Sequence, residues 1–379
     1  FTLAIVALVV GLTGCEKIMP MMPADEKPAD EVVIGIAVAE TGPNAEPYGL
    51  PMKRGLELAQ EELNMAGANI QFVSMDNMST IEGAKAAVQV LVEKDVSAIV
   101  GVGISTHLKQ AFPIAQDAGI VAFSPISSAA GLSGEIGDYV FRAGIATNIL
   151  IPGGVMKTHA ALNYENVAVI YDEADVYSTS LKDELDKALA SNNIMVQTTE
   201  KFKTKDTDFS MQLKNIMMQD PQPDVLFIAS LSDEMILIMK QAGDLGITAT
   251  TQLIVPDLTG FEVSAVGAAA DGAIAFAGWS GLSDTPGNQE FVQAYKAKFN
   301  DDEPLPWAAQ AYATLYILAN AIHNAPSTDS MDIRDALAMT SHLPTILGPF
   351  SFDPNGEAIY ENIETIVQQV MEGKLVDLK

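Results

Sequence analysis

Hydroxyl-bearing residues recur where an apolar run gives way to a helical pattern. Gly103-Ile104-Ser105-Thr106 follows the run Ala98 to Val100, and Ser124-Pro125-Ile126-Ser127-Ser128 ends the run from Ile120. Glu40-Thr41-Gly42-Pro43, with Tyr48-Gly49 behind it, follows a third run, Val32 to Ala39. Hydroxyls beside the free N–H groups of a helix start can cradle a carboxylate. Taken singly, Ser105, Ser127 and Ser128 are explained as plain helix caps. Three such loops at one sheet edge favour a ligand, because open α/β sheets hold ligands beyond the C-terminal ends of their strands.

Other chemistries have less support. Gly101-Val102-Gly103 is half of a dinucleotide fingerprint, but Thr106 stands where the third glycine belongs. His107, His159, His323 and His342 have no metal-ligand spacing, and no G-x-S-x-G nucleophile elbow or Walker loop occurs. A Ser–His–Asp triad assembled in space stays open, with nothing in the chain to recommend it. The acid pairs Glu61-Glu62 and Asp301-Asp302 fall on solvent faces or loops. We expect no metal, no cofactor and no enzyme activity.

Composition narrows the partners. The 379 residues are 48% hydrophobic, enough for about two domains with full cores. Lys plus Arg number 21 against 49 Asp plus Glu, a formal charge of −28, which repels nucleic acid and anionic lipid. The arginines are only Arg54, Arg142 and Arg334, too few for a multi-arginine clamp on a phosphorylated or dicarboxylate solute. One cysteine, Cys15, excludes an intrachain disulfide.

Phe1 to Gly14 is uncharged, and Leu3 to Leu12 is almost wholly apolar, short of the ~20 residues that span a bilayer. It reads as the core of a signal peptide (residues 1–14) whose start precedes this sequence. Lys17 to Glu31, with Pro20, Pro23 and Pro28, reads as part of a flexible tether over 15–31.

Behind the tether, strands and helices alternate. Strands are expected at Val32–Ala39, Ile70–Met75, Ala98–Val100 and Ile120–Ser124, with helices between them. The pattern restarts with strands at Val167–Tyr171, Ile194–Thr199, Val225–Ala229, Gln252–Val255 and Ile274–Phe276. Trp307 to Asn324 reads as a long, mostly buried helix. Such alternation makes right-handed βαβ units on parallel sheets. Two doubly wound sheets are expected.

The order of these motifs resembles the type I periplasmic binding proteins, on the leucine/isoleucine/valine-binding branch of ABC-transporter substrate-binding proteins. Gly55-Leu56-Glu57-Leu58-Ala59, Phe141-Arg142 and Gly348-Pro349-Phe350-Ser351-Phe352-Asp353 add to the likeness, which spans Val32 to Lys379. Leu12-Thr13-Gly14-Cys15 resembles a bacterial lipobox, implying a lipidated Cys15 and a periplasmic or cell-surface protein anchored to a membrane.

The resemblance implies an α/β fold of two Rossmann-like lobes joined by a three-crossover hinge. Lobe one would hold 31–146 and 276–346, and lobe two 147–275 and 347–379. It implies a monomer that binds a small neutral amino-acid-like ligand by hinge closure and delivers it to an ABC permease. Ser105, Thr106, Ser127 and Ser128 would hold the ligand's α-carboxylate. Tyr177 would cover it, Asp257 would pair with its ammonium, and Tyr48 and Trp279 would line the side-chain pocket, unless these two aromatics are core. Asp172-Glu173-Ala174-Asp175-Val176-Tyr177-Ser178 departs from the family's Asp-Tyr-Gly at this point. Amides, urea-like compounds or aromatic acids remain alternative ligands. A sensing or partner-binding lipoprotein of the same fold remains an alternative role.

Overall fold

The computed structural model describes residues 31–361 and 363–378, so Cys15 and the expected signal and tether lie outside the described residues. The first strand, β1 (Val32–Val38), is buried on both faces, as its unbroken apolar run requires. From it the chain runs through α1 (Leu50–Met65), β2 (Ile70–Asp76), α2 (Ile81–Glu93) and β3 (Ala98–Gly101). It continues through α3 (Ser105–Ala118), β4 (Val121–Ser124), α4 (Leu132–Ile136) and β5 (Val140–Arg142). These five strands form one parallel sheet in the order β2-β1-β3-β4-β5.

The second half begins with α5 (Thr147–Leu162), β6 (Asn166–Asp172), α6 (Val176–Ser191), β7 (Met195–Phe202) and α7 (Ser210–Met217). It goes on through β8 (Val225–Ala229), α8 (Ser232–Asp244), β9 (Gln252–Pro256), α9 (Gly260–Val266) and β10 (Ile274–Ala277). Its parallel strands lie in the order β7-β6-β8-β9-β10. This is the topology of the first sheet repeated.

The remaining elements are α10 (Asn288–Lys298), α11 (Pro306–Asn324), α12 (Ser330–Ala338), β11 (Leu343–Thr345), β12 (Gly348–Phe352) and β13 (Ala358–Tyr360), then β14 (Ile366–Met371) and β15 (Lys374–Asp377). The last two extend the second sheet antiparallel beyond β10, while β11-β12-β13 make a small antiparallel sheet of their own.

Two boundaries expected from sequence move. Residue 276 falls inside β10, which pairs in register with β9 and β14, so the chain leaves the second sheet only after Ala277. We propose that the return crossover lies beyond β13 rather than at 347. Phe352 packs edge-on against Phe141 with ring centres 4.9 Å apart, and Arg142 N–H donates to Gly356 O, which ties β12 and its following turn to lobe one. We therefore propose lobe one as 31–142 with 288–360 and lobe two as 147–277 with 366–378. Three passes of the chain join them.

Lobe one's core depends on a close approach of α1 and α11. A Cβ at Gly55 would sit 2.1 Å from the Ala308 carbonyl oxygen, so only glycine lets the two backbones meet. Gly55→Ala should force them apart and cost about 1–3 kcal/mol, the range for overpacking. Gly260→Ala, whose Cβ would meet nothing within 4 Å, should change stability by less than about 0.5 kcal/mol. Urea unfolding of the two variants checks the contrast.

Candidate ligand-binding cleft

In each sheet the topology reverses beside its first strand, between β1 and β3 and between β6 and β8. Ligands bind at such switch points in open α/β sheets. Here the two switch points face each other. Tyr48, in the turn before α1, receives a hydrogen bond on its phenol oxygen from the Ser232 N–H at the start of α8, at 3.0 Å. Thr106, in the first turn of α3, donates to Asp175 Oδ1 at 2.5 Å and accepts from the Val176 N–H at 2.8 Å. The Ala130 N–H also donates to Ser180 Oγ at 3.0 Å. The lobes are closed on each other.

Between them lie two adjoining cavities of about 30 and 20 Å³, both walled by Ile126, Ser128, Asp257 and Trp307. As the lobes stand, each has room for a water or two but not for an amino-acid side chain, so a bound solute would hold the lobes further apart than here. The larger also meets Tyr48, Ser105, Tyr177 and Leu231. No Lys, Arg or His lines either cavity among the described residues.

The lobe-one wall is a donor surface. Ser105 is the first residue of α3, and its Oγ lies 2.9 Å from Ser127 Oγ. The loop that aims it is strained: Val102, β-branched, has φ +47°. A Cβ at Gly101, φ +136°, would lie 2.4 Å from the Ala37 carbonyl oxygen. Burial drives His107 down to about 4, so this neighbour of the helix start is neutral at pH 7. Arg142, 1% exposed, fixes the second loop by donating to the Ser127 carbonyl at 3.0 Å while paired with Glu357.

The lobe-two wall is acidic. Asp257 follows β9 with φ +62°, a conformation aspartate tolerates better than most residues. The Tyr177 hydroxyl donates to its Oδ2 at 2.8 Å, and Oδ1 has no partner among the described residues. Burial pushes this carboxyl up to about 6, Tyr177 opposes the rise and nearby Glu262 adds to it. Burial also raises both Tyr48 and Tyr177, which stay protonated. Glu262 accepts from Thr259 N–H and from the hydroxyls of Thr259 and Ser232, holding together the loops after β8 and β9.

Of the residues expected from sequence, the cleft brings together Tyr48, Ser105, Ser128, Tyr177 and Asp257. Ser127 stands behind Ser105, and Thr106 spends its hydroxyl on Asp175 and Val176. Trp279 lines neither cavity: its indole N–H donates to Asn288 Oδ1 at 2.8 Å and its ring packs on Phe291, in keeping with the core alternative left open from sequence. Trp307 takes its place, 5.9 Å from the Tyr48 ring. It was missed because it opens a helix rather than following a strand. Gln310 and Met235 lie within helices, where nothing in the sequence separates a cleft-facing residue from a core one.

A profile of the periplasmic binding proteins matches residues 31–368. The chain belongs to that family. Its members bind solutes and are not enzymes, and membership implies a location outside the cytoplasm. Among the described residues no helix is long and apolar enough to cross a membrane. The leucine-, isoleucine-, valine-, threonine- and alanine-binding protein of Pseudomonas aeruginosa is 27% identical over 338 residues, 87% of each chain. A branched-chain amino-acid substrate-binding protein of Streptococcus pneumoniae, solved with isoleucine, matches with TM-score 0.81 and 26% identity over 92% of this chain and all of that one. A solute-binding protein of R. palustris, solved with benzoate, shares the fold at TM-score 0.80 and 20% identity, covering 92% and 95%.

Tyr48→Phe removes the acceptor that Ser232 uses, and Thr106→Val removes the hydroxyl between α3 and α6. Each should shift the balance toward the open form by about 1 kcal/mol, the worth of one hydrogen bond. In small-angle scattering the radius of gyration should rise, with the unfolding midpoint of each lobe little changed.

Proposed function

We propose that this protein is the solute-binding subunit of an ABC importer for a small neutral amino acid, which it captures by closing its lobes on the zwitterion. One arrangement carries the reading: Asp257 faces Ser105, Ser128 and the start of α3 across a closed cleft that no cationic side chain lines among the described residues. The α-carboxylate would lie on the N–H groups and hydroxyls of lobe one, and the ammonium on the unused oxygen of Asp257. Each half of the zwitterion binds a different lobe. Ligand binding therefore stabilises the closed form more than the open one, which is the condition for ligand-driven closure. A permease would then recognise the closed shape.

The relatives that bind Leu, Ile, Val, Thr and Ala support the amino-acid class. An aromatic acid without an amine fits less well, since its only charge repels Asp257. Leu12-Thr13-Gly14-Cys15 supports a lipid anchor on Cys15, which would hold the monomer at the outer face of a membrane near its permease.

Asp257 makes the reading testable by pH. A ligand ammonium favours the ionised carboxyl, so affinity should hold above about pH 6. Below that pH, binding must displace a proton, and Kd should weaken by up to about tenfold per pH unit. Asp257→Asn should weaken binding at pH 7.5 by about 10- to 100-fold, the loss of a charge-assisted hydrogen bond, and flatten the pH profile. Thermal-shift titrations against neutral amino acids, amides and aromatic acids at pH 5 and 7.5 check both points. Shifts with amides or aromatic acids alone would overturn the ammonium site.

A further inference from the structure

Two buried polar atoms on residues that wall the cleft have no partner among the described residues: Trp307 Nε1 and Gln310 Oε1. The residues are 7% and 4% exposed and stand three apart at the start of α11, hence on one face of the helix. Both line the cavity that runs from Asp257 and Ser128 past Ile126, Ile145 and Phe276.

An indole N–H only donates, and an amide oxygen only accepts. A buried group of either kind left unpaired is costly, so each calls for a partner that the chain does not supply, a water or a ligand group that displaces it. Resting on the amino-acid reading above, we propose that the solute's side chain ends in a group that both accepts and donates, a hydroxyl or a primary carboxamide. It would accept from Trp307 Nε1 and donate to Gln310 Oε1. A side-chain carboxylate has no proton to give and would face Asp257, and a side-chain ammonium cannot accept. A wholly aliphatic side chain leaves both atoms unpaired. Ile126, Ile145 and Phe276 would enclose the carbon atoms between the two ends of the ligand.

Near-isosteric pairs test this. Calorimetric titration of the protein with threonine against valine, and asparagine against leucine, should give the polar member of at least one pair an affinity tenfold or more higher. Gln310→Leu should cancel or reverse that preference, and Trp307→Phe should reduce it. A loss of packing alone would weaken both members of a pair equally, so the ratio is the readout. If Gln310→Leu does not fold, Gln310→Met, closer in shape, serves the same comparison. Valine and leucine binding as tightly as their partners, or aspartate binding best, would overturn the polar subsite and leave the amino-acid reading intact. No binding by any of these amino acids to the folded protein would overturn that reading, and this inference with it.

Discussion

A carboxylate held in a closed, largely apolar cleft is stable as an anion only when a cation or several donors face it. Asp257 has one donor, Tyr177, and burial already lifts it to about 6. Much of the surrounding architecture can be understood from that constraint. Lobe two presents a charge it does not neutralise, and lobe one presents hydroxyls and a helix start with no counter-anion of its own. Each half is incomplete in a complementary way, and the zwitterion we propose would complete both. The repeated strand order makes the meeting possible, because it sets one switch point opposite the other.

The walls are held from behind by groups that never reach the ligand. Buried Arg142, paired with the partly buried Glu357, fixes the Ser127 carbonyl, so the second donor loop is anchored by charge as well as by backbone. In lobe two Glu262 gathers three donors and joins the turn after β8 to the turn after β9. Breaking either arrangement would leave a charge buried without its partners, which is far more costly than losing a surface pair. Strain at Val102 and Asp257 lies next to these anchors, as expected where the fold trades backbone comfort for side-chain direction.

The alternation of strands and helices was plain in the sequence because β-branched runs and helical periods are local signals. So were the hydroxyl loops, which sit immediately after strands, whereas Asp257 was reached only through the family resemblance. Other elements left no such trace. The helix Thr147–Leu162 carries Pro152, Gly153 and Gly154 and has no polar face to mark its period, so it went unread. The strands of the small sheet, three to five residues long, are too brief to declare themselves. The exchange of Trp279 for Trp307 is a matter of packing. Trp307 reaches the cleft only because α11 lies against α1 through Gly55, a contact made across some 250 residues of chain. Thr106 could be placed at the right loop but not at the right task, since its partner Asp175 belongs to the other lobe.

The claim on which the account rests is that both charges of the solute are recognised, one by each lobe. Isothermal titration of the protein with an amino acid and with the same acid lacking its amine tests it directly, using threonine against 3-hydroxybutanoate and valine against 3-methylbutanoate. The amine-bearing member of a pair should bind at least tenfold more tightly at pH 7.5. Equal or tighter binding of the acids without an amine would contradict it, because Asp257 would then face no cation in the closed cleft.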